Sequence, residues 1–271
     1  MDYQLFPPHD SLEPYLFGFT SLRITSDLLM TPIPCIPSGA ILMNFEIGGT
    51  MLGGGISTEP IPLPTSFVCG QLTSPHWIMS VNSSIHFNVM FQATGFYQLT
   101  GMEVSQYENR ILELDNMGEE WAELSRTVHQ AQTDQDRIGL LTSFFLQRIP
   151  RTCVTSPPSI PQRVLEMIRR DHRYTLSDIA SSIGYGERHI RRVFKKMVGI
   201  SPKKYQQIMR IHSVIHLLRN KPSLSIQDIV AICDFSDAAH LSRQFKRYTG
   251  KTINVYLQSQ PGLREKWMIW T

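Results

Sequence analysis

A chain of 271 residues, 42% hydrophobic and 18% charged, has the length of two ordinary domains and the composition of a globular protein. Its formal charge of +3 conceals a split: residues 1–156 hold 6 Lys+Arg against 15 Asp+Glu, net −9, and residues 157–271 hold 20 against 8, net +12. No apolar run reaches the roughly 18 residues of a membrane span, MDYQLFPPHD lacks the regions of a signal peptide, and Cys35, Cys69, Cys153 and Cys233 form no CxxC pair, so a cytoplasmic protein with reduced thiols is expected rather than a membrane, disulfide or zinc protein.

In the first half, residues 40–47 and 67–71 read as strands, separated by Gly48-Gly49 and Gly53-Gly54-Gly55. Ile85, Phe87, Val89 and Phe91 alternate with His86, Asn88 and Met90, the period of a half-buried strand. The aromatic set Phe87, Phe91, Phe96 and Tyr97 suits a core, with a ligand pocket as the sharper alternative. The period then lengthens: Trp121, Leu124 and Val128 share one helical face, as do Ile138, Leu141, Phe145 and Ile149. Residues 1–149 are therefore predicted as an α+β domain, a β-rich unit plus two helices over 118–130 and 134–149. Residues 150–161, PRTCVTSPPSIP, hold four prolines, which read as a linker. The linker coincides with the change of charge sign, and the basic half after it suits a polyanion.

Residues 162–271 are predicted all-α, with an internal repeat. Asp178-Ile179 and Tyr185 match Asp228-Ile229 and Phe235 at an offset of 50. Ile190, Arg192, Phe194-Lys195, Gly199, Ser201 and Tyr205 match Leu241, Arg243, Phe245-Lys246, Gly250, Thr252 and Tyr256 at an offset of 51. Each copy reads helix, tight turn, helix. In the first, Gly184 supplies the positive φ of the turn, and a second helix starts near Glu187. Its inward face is Ile190, Val193, Phe194 and Met197, while Arg188, Arg191, Arg192 and Lys195 lie elsewhere. Such a cationic surface repels itself unless an anion faces it, and a helix-turn-helix unit lays this helix in the DNA major groove. In the second copy Ser236 is the predicted N-cap, with Asp237 in the first turn. Ala238, Ala239, His240 and Arg243 are expected at the groove, with Lys246 and Arg247 nearer the phosphates.

The runs DIASSIGYGERHIRRVFKKMVGISPKKY and DIVAICDFSDAAHLSRQFKRYTG resemble the paired units of the AraC/XylS family of transcription regulators over about residues 160–260. The resemblance implies sequence-specific binding to promoter DNA, a connecting helix over about 208–218 that sets the spacing of the two units, and RNA polymerase as partner. It assigns base reading to Arg188, Arg191 and Arg192, and to Ala238, Ala239, His240 and Arg243. The second unit departs from the family pattern at Val230, Asp234 and Ile253, where the family usually has alanine, glycine and proline. The first half, through LEPYLFGFTSLR, IPSGAILMNFEIG, VCGQLTSP, FNVMFQATGFYQLTG and RILELDN, resembles a compact domain of uncharacterised role found ahead of such regions.

His212 and His216 lie four residues apart, but no acidic residue completes a metal set, so packing histidines are expected. An Ada-like repair enzyme is the catalytic alternative. Its chemistry needs clustered cysteines, and the chain also lacks a nucleophile elbow, P-loop or dinucleotide fingerprint. No enzyme activity, cofactor or metal is expected. For residues 1–149 three roles stay open: binding a small effector, dimerisation through the two helices, and electrostatic folding of the acidic half onto the basic half. Trp267 and Trp270 suggest a tail that packs on a neighbour.

Overall fold

The computed structural model describes residues 2–55, 58–149 and 159–258. Cys153, most of the predicted linker, and Trp267 and Trp270 lie outside the described residues.

Ten strands build the first domain: β1 (Asp2–Phe6), β2 (Leu16–Ile24), β3 (Ile33–Cys35), β4 (Ile41–Ile47), β5 (Met51–Gly55), β6 (Ile61–Pro62), β7 (Ser66–Cys69), β8 (His76–Ser80), β9 (Ser84–Phe91) and β10 (Ile111–Glu113). They pair antiparallel in a six-stranded sheet of order β1-β2-β9-β4-β7-β10 and a four-stranded sheet of order β3-β8-β5-β6. The alternation in β9 decides which side is oily. Phe87, Val89 and Phe91 join one apolar cluster with Phe19, Met43 and Phe45 from neighbouring strands. That cluster is closed by α2 (Glu119–Gln130) and α3 (Asp134–Leu146), through Trp121, Leu124, Val128, Leu141 and Phe145. The intervening residues of β9 turn to the four-stranded sheet, where His86 Nε2 lies 2.7 Å from Ser80 Oγ of β8. A short helix α1 (Gly95–Thr100) packs Phe96 edge-on against Phe91, ring centroids 5.3 Å apart.

Two expectations change here. The glycines 53–55 do not separate strands: they pair with Ile78, Trp77 and His76 as the end of β5, and Trp77 Nε1 donates to Gly55 O at 2.9 Å. Backbone pairing, which needs no side chain, overrides the turn preference of glycine. The apolar stripes of α2 and α3 face their own sheet, so the surfaces that suggested dimerisation are already covered within one chain. Arg148 closes the outer end, its guanidinium 3.4 Å from the Phe144 ring centroid and paired with Glu120. Of the aromatic set, Phe87, Phe91 and Phe96 are core, the reading their spacing suited.

The second domain is α4 (Ile160–Arg170), α5 (Leu176–Ile183), α6 (Glu187–Val198), α7 (Pro202–Asn220), α8 (Ile226–Ile232), α9 (Ala238–Thr249) and α10 (Ile253–Gln258). α4 takes in Ile160 and Pro161, which the proline count had given to the linker. Pro161 sits in the first turn, where a missing N–H costs nothing, and Gln162 Oε1 reaches back to accept from Ser159 N at 2.8 Å. One apolar cluster runs unbroken from Val164 and Ile168 through Ile190 and Phe194 to Leu241 and Phe245, so the two repeats share a core. Val230 and Ile253, two of the departures from the family pattern, are buried in it.

Candidate nucleic-acid interface

Each unit begins with the same device. Thr175 and Asp178 cap α5 reciprocally, with Asp178 N donating to Thr175 Oγ1 at 3.1 Å and Thr175 N to Asp178 Oδ2 at 2.7 Å. Ser225 and Asp228 repeat it on α8 at 3.2 and 2.8 Å. The hydroxyl and amide donors hold both carboxyls below the usual aspartate range, as a capping box requires. The turn that follows needs left-handed backbone. Gly184 adopts φ 74° in the first unit, and Asp234 adopts φ 57° in the second, where glycine would be the unstrained choice.

Beyond the first turn α6 buries Ile190, Phe194, Met197 and Val198 and leaves Arg188, Arg191, Arg192 and Lys195 exposed. Among the described residues, local groups engage Arg191 and Arg192. Arg191 pairs with Glu187 at 2.5 Å, and Arg192 Nη2 lies 3.4 Å from His189 Nδ1. His189 is in turn stacked on Tyr185, ring centroids 5.5 Å apart. An exposed i,i+4 pair is worth about 0.3–0.5 kcal/mol, too little to hold Arg191 against a phosphate or a guanine edge.

The N-cap of α9 is Asp237, not Ser236: Asp237 Oδ1 accepts from His240 N at 2.6 Å. Ser236 stands one residue outside and bonds Asp237 and His240 Nδ1 at 3.0 and 3.1 Å. The carboxylate wins because an anion at a helix N-terminus gains from the dipole as well as the hydrogen bond. Ala239, Arg243, Lys246 and Arg247 are exposed as expected. Ala238 and His240 are half-buried, Ala238 against the shared core and His240 edge-on to Phe235 at 5.5 Å.

The connecting helix α7 carries residues that the sequence did not single out. Its Gln206 donates to the carbonyls of His172 and Tyr174, at 2.6 and 2.7 Å, in the loop ahead of α5. Arg210, one turn on, donates to Cys233 O at 3.1 Å and to Asp234 O in the turn of the second unit, and its guanidinium covers the Phe235 ring at 4.3 Å. Gln207 accepts from Tyr248 OH of α9 at 3.0 Å. A single helix turn thus ties both units together by side chain–backbone bonds as well as by packing.

The first domain sits on the same helix. His212 is buried and its Nε2–H donates to Pro37 O at 2.8 Å; burial holds its pKa below the ordinary value. Gly39 lies so close that a Cβ there would be 2.8 Å from Met209 Cε and 2.9 Å from Tyr205 Cε2. Lys204 pairs with Glu108, and Arg169 Nη2 meets Gln92 Oε1 at 3.3 Å. Burial works to raise the Glu108 pKa, but hydrogen bonds from Lys204 and Thr73 and the charges of Lys204 and Lys195 outweigh it and leave it lowered. His216, the other histidine of the spaced pair, bonds Asn220, and among the described residues no cluster of metal-ligating groups forms. No helix among them is long and apolar enough to cross a membrane.

Two family models match the chain: a helix-turn-helix domain over residues 162–259 and a domain of unknown function (DUF6597) over residues 4–113. The HTH-type transcriptional activator AarP of Providencia stuartii is 31% identical over 94 residues, which cover 35% of this chain and 69% of that protein. The activator RhaR of Cronobacter sakazakii is 34% identical over 88 residues, but those span only 32% of this chain and 31% of that one. Among solved structures, ToxT of Vibrio cholerae aligns over 89% of this chain and 97% of its own, at 13% identity and a TM-score of 0.48. The helix-turn-helix model spans both repeats, with their capped first helices and basic second helices. The chain belongs to the AraC family of helix-turn-helix transcription regulators.

Proposed function

We propose that α6 and α9 enter successive major-groove segments on one face of promoter DNA, spanning about 20 base pairs. The observation that carries this reading is the fixed pair of second helices: each buries its apolar face in one shared core while Arg188, Arg191, Arg192 and Arg243 stand exposed. Arg188, Arg191 and Arg192 read bases in the first half-site. Ala239 and Arg243 read the second, with Ala238 and His240 lying closer to the protein. Lys195, Lys246 and Arg247 hold phosphates. The bound chain acts in the cytoplasm and changes transcription through RNA polymerase.

The first domain supplies the regulation. Strand β3 ends at Cys35, and Pro37 and Gly39 just beyond it rest on α7. A small effector that shifts this segment alters the helix that sets the spacing of the units. The test is selection of genomic fragments with the full chain at two salt concentrations. One enriched motif of about 20 base pairs, with affinity falling steeply as salt rises, is the expected result. Arg191→Ala should cost roughly 1–3 kcal/mol at its preferred base pair. Unchanged site preference in that variant overturns the assignment.

A further inference from the structure

The two sheets of the first domain do not close on one another completely. Between them lies a cavity of about 520 Å³, within the ~300–1,000 Å³ typical of small-molecule sites. Its walls are apolar: Leu42 and Phe67 from the six-stranded sheet, Met51, Trp77 and Ile78 from the four-stranded one, and Ile111.

The polar side chains that line it are nearly all committed to the protein. Trp77 Nε1 is bonded to Gly55 O, so the indole offers only its ring. His76 Nδ1 meets Ser74 O at 3.0 Å, Thr58 Oγ1 donates to Gly55 O at 3.1 Å, and Asn109 is closed on Thr73 by bonds of 2.8 and 2.9 Å. Asn88 Nδ2 donates to His86 O at 3.3 Å. Asn44, its partner in the register of β4 and β9, is different. The residue is 5% exposed, and its Nδ2 is buried with no hydrogen-bond partner. Among the described residues lining the cavity it is the one orphaned buried polar atom. Leaving such a donor unmade costs the full desolvation of the group, which a bound acceptor would remove.

Charge completes the specification. The ionisable carboxylate and guanidinium of the lining are Glu59 and Arg110, one of each sign, and neither is among the buried residues. Because both are exposed, an ion held beside Asn44 would give up its water among Leu42, Phe67 and Met51 without a desolvated partner charge, and a polyol would leave hydroxyls facing the same apolar groups.

We infer that this cavity binds an uncharged, largely apolar molecule, aromatic in part, that presents one carbonyl-type acceptor to Asn44 Nδ2. The inference rests on the sensing reading only for its biological meaning; binding itself can be measured without DNA. Titration of the full chain with 2-acetonaphthone, 2-isopropylnaphthalene and 2-naphthoate, read by calorimetry and thermal shift, separates the components. The ketone should bind at least fivefold tighter than the hydrocarbon of similar shape and tenfold tighter than the carboxylate. Asn44→Leu should bring ketone and hydrocarbon within twofold. Leu42→Phe, which narrows the cavity without touching Asn44, should weaken both. If Asn44→Leu does not fold, the wild-type ranking and Leu42→Phe still decide. Absence of ketone binding up to its solubility, equal binding of ketone and hydrocarbon, or preference for the carboxylate would overturn the inference. Ketone binding that leaves operator affinity unchanged supports the site and refutes the sensing reading instead.

Discussion

Replacing Arg210 by alanine tests whether α7 is what holds the second unit in place. The guanidinium bonds the carbonyls of Cys233 and Asp234 and lies on the Phe235 ring. Cys233 is fully buried, so its carbonyl cannot recruit bulk water, and a hydrogen bond from a charged donor is worth about 1.5–3 kcal/mol. Asp234 is exposed, and water takes over there at little cost. The cation–π contact adds about 0.5–1 kcal/mol. Because His172 also bonds the Cys233 carbonyl, that acceptor is not wholly orphaned, and about 2 kcal/mol is expected in urea unfolding of the helical domain. The functional effect should be one-sided. On DNA carrying both half-sites, affinity should fall towards that for the α6 half-site alone, with α6 preferences intact. Arg210→Lys keeps the charge without the forked reach and should fall between. If Arg210→Ala unfolds within 0.5 kcal/mol of the wild type and binds both half-sites at full affinity, the clamp is not what fixes α9.

Asp234→Gly relieves a left-handed residue at φ 57°. The relief is at most about 1–2 kcal/mol and smaller for Asp, and greater freedom of the unfolded chain offsets part of it, so a gain of up to about 1 kcal/mol is expected in the same urea experiment. A loss would mean that the side chain is needed. Lys246→Ala and Arg247→Ala should each weaken binding equally on all sequences and lower the salt slope by about 1; a changed base preference would move them from phosphate to base contact. Acid should loosen the seam between the domains. His212 and Glu108 both have folded-state pKa values below their ordinary ones, so each stabilises the seam above its unfolded value and loses that contribution as pH falls through the folded one. Small-angle scattering should therefore show expansion beginning below about pH 6.5 for His212 and continuing below about pH 4 for Glu108. An unchanged profile down to pH 4 in the wild type, or one unaltered by His212→Gln, would count against this.

The parts of the fold legible in the sequence are those governed by local rules. The repeat, the turn at Gly184, the start of α6 at Glu187 and the long strand over residues 85–91 all follow from periodicity and backbone preference. The strand pairs β3–β8 and β5–β6 were not legible. They are two to five residues long, too short for a period-two pattern to mark them. Exposure, by contrast, followed from helical position: every arginine and lysine expected on the outer faces of α6 and α9 is exposed. The half-burial of Ala238 and His240 could not be read from spacing, because it depends on where Phe235 lies after the turn.

What no sequence pattern announced is the seam, and the reason is distance along the chain. Pro37 and His212 are 175 residues apart, and Glu108 and Lys204 are 96 apart. The opposite charges of the two halves suggested electrostatic folding of one onto the other, yet the contact is made largely by close packing. Gly39 is wedged against Tyr205 and Met209, Ile36 and Ala93 join the helical core, and Glu108 with Lys204 supplies an ion pair at the side. That composition matters for regulation. Screened surface charge gives a contact that loosens gradually with salt, whereas a glycine pressed between two side chains tolerates no small displacement. The same segment that lines the cavity at Cys35 reaches α7 within two residues, and the loop that lines it at Asn109 reaches α7 through Glu108. On the sensing reading proposed above, a ligand that moves either wall is therefore expected to be felt at α7, where Gln206 and Arg210 hold both helix-turn-helix units.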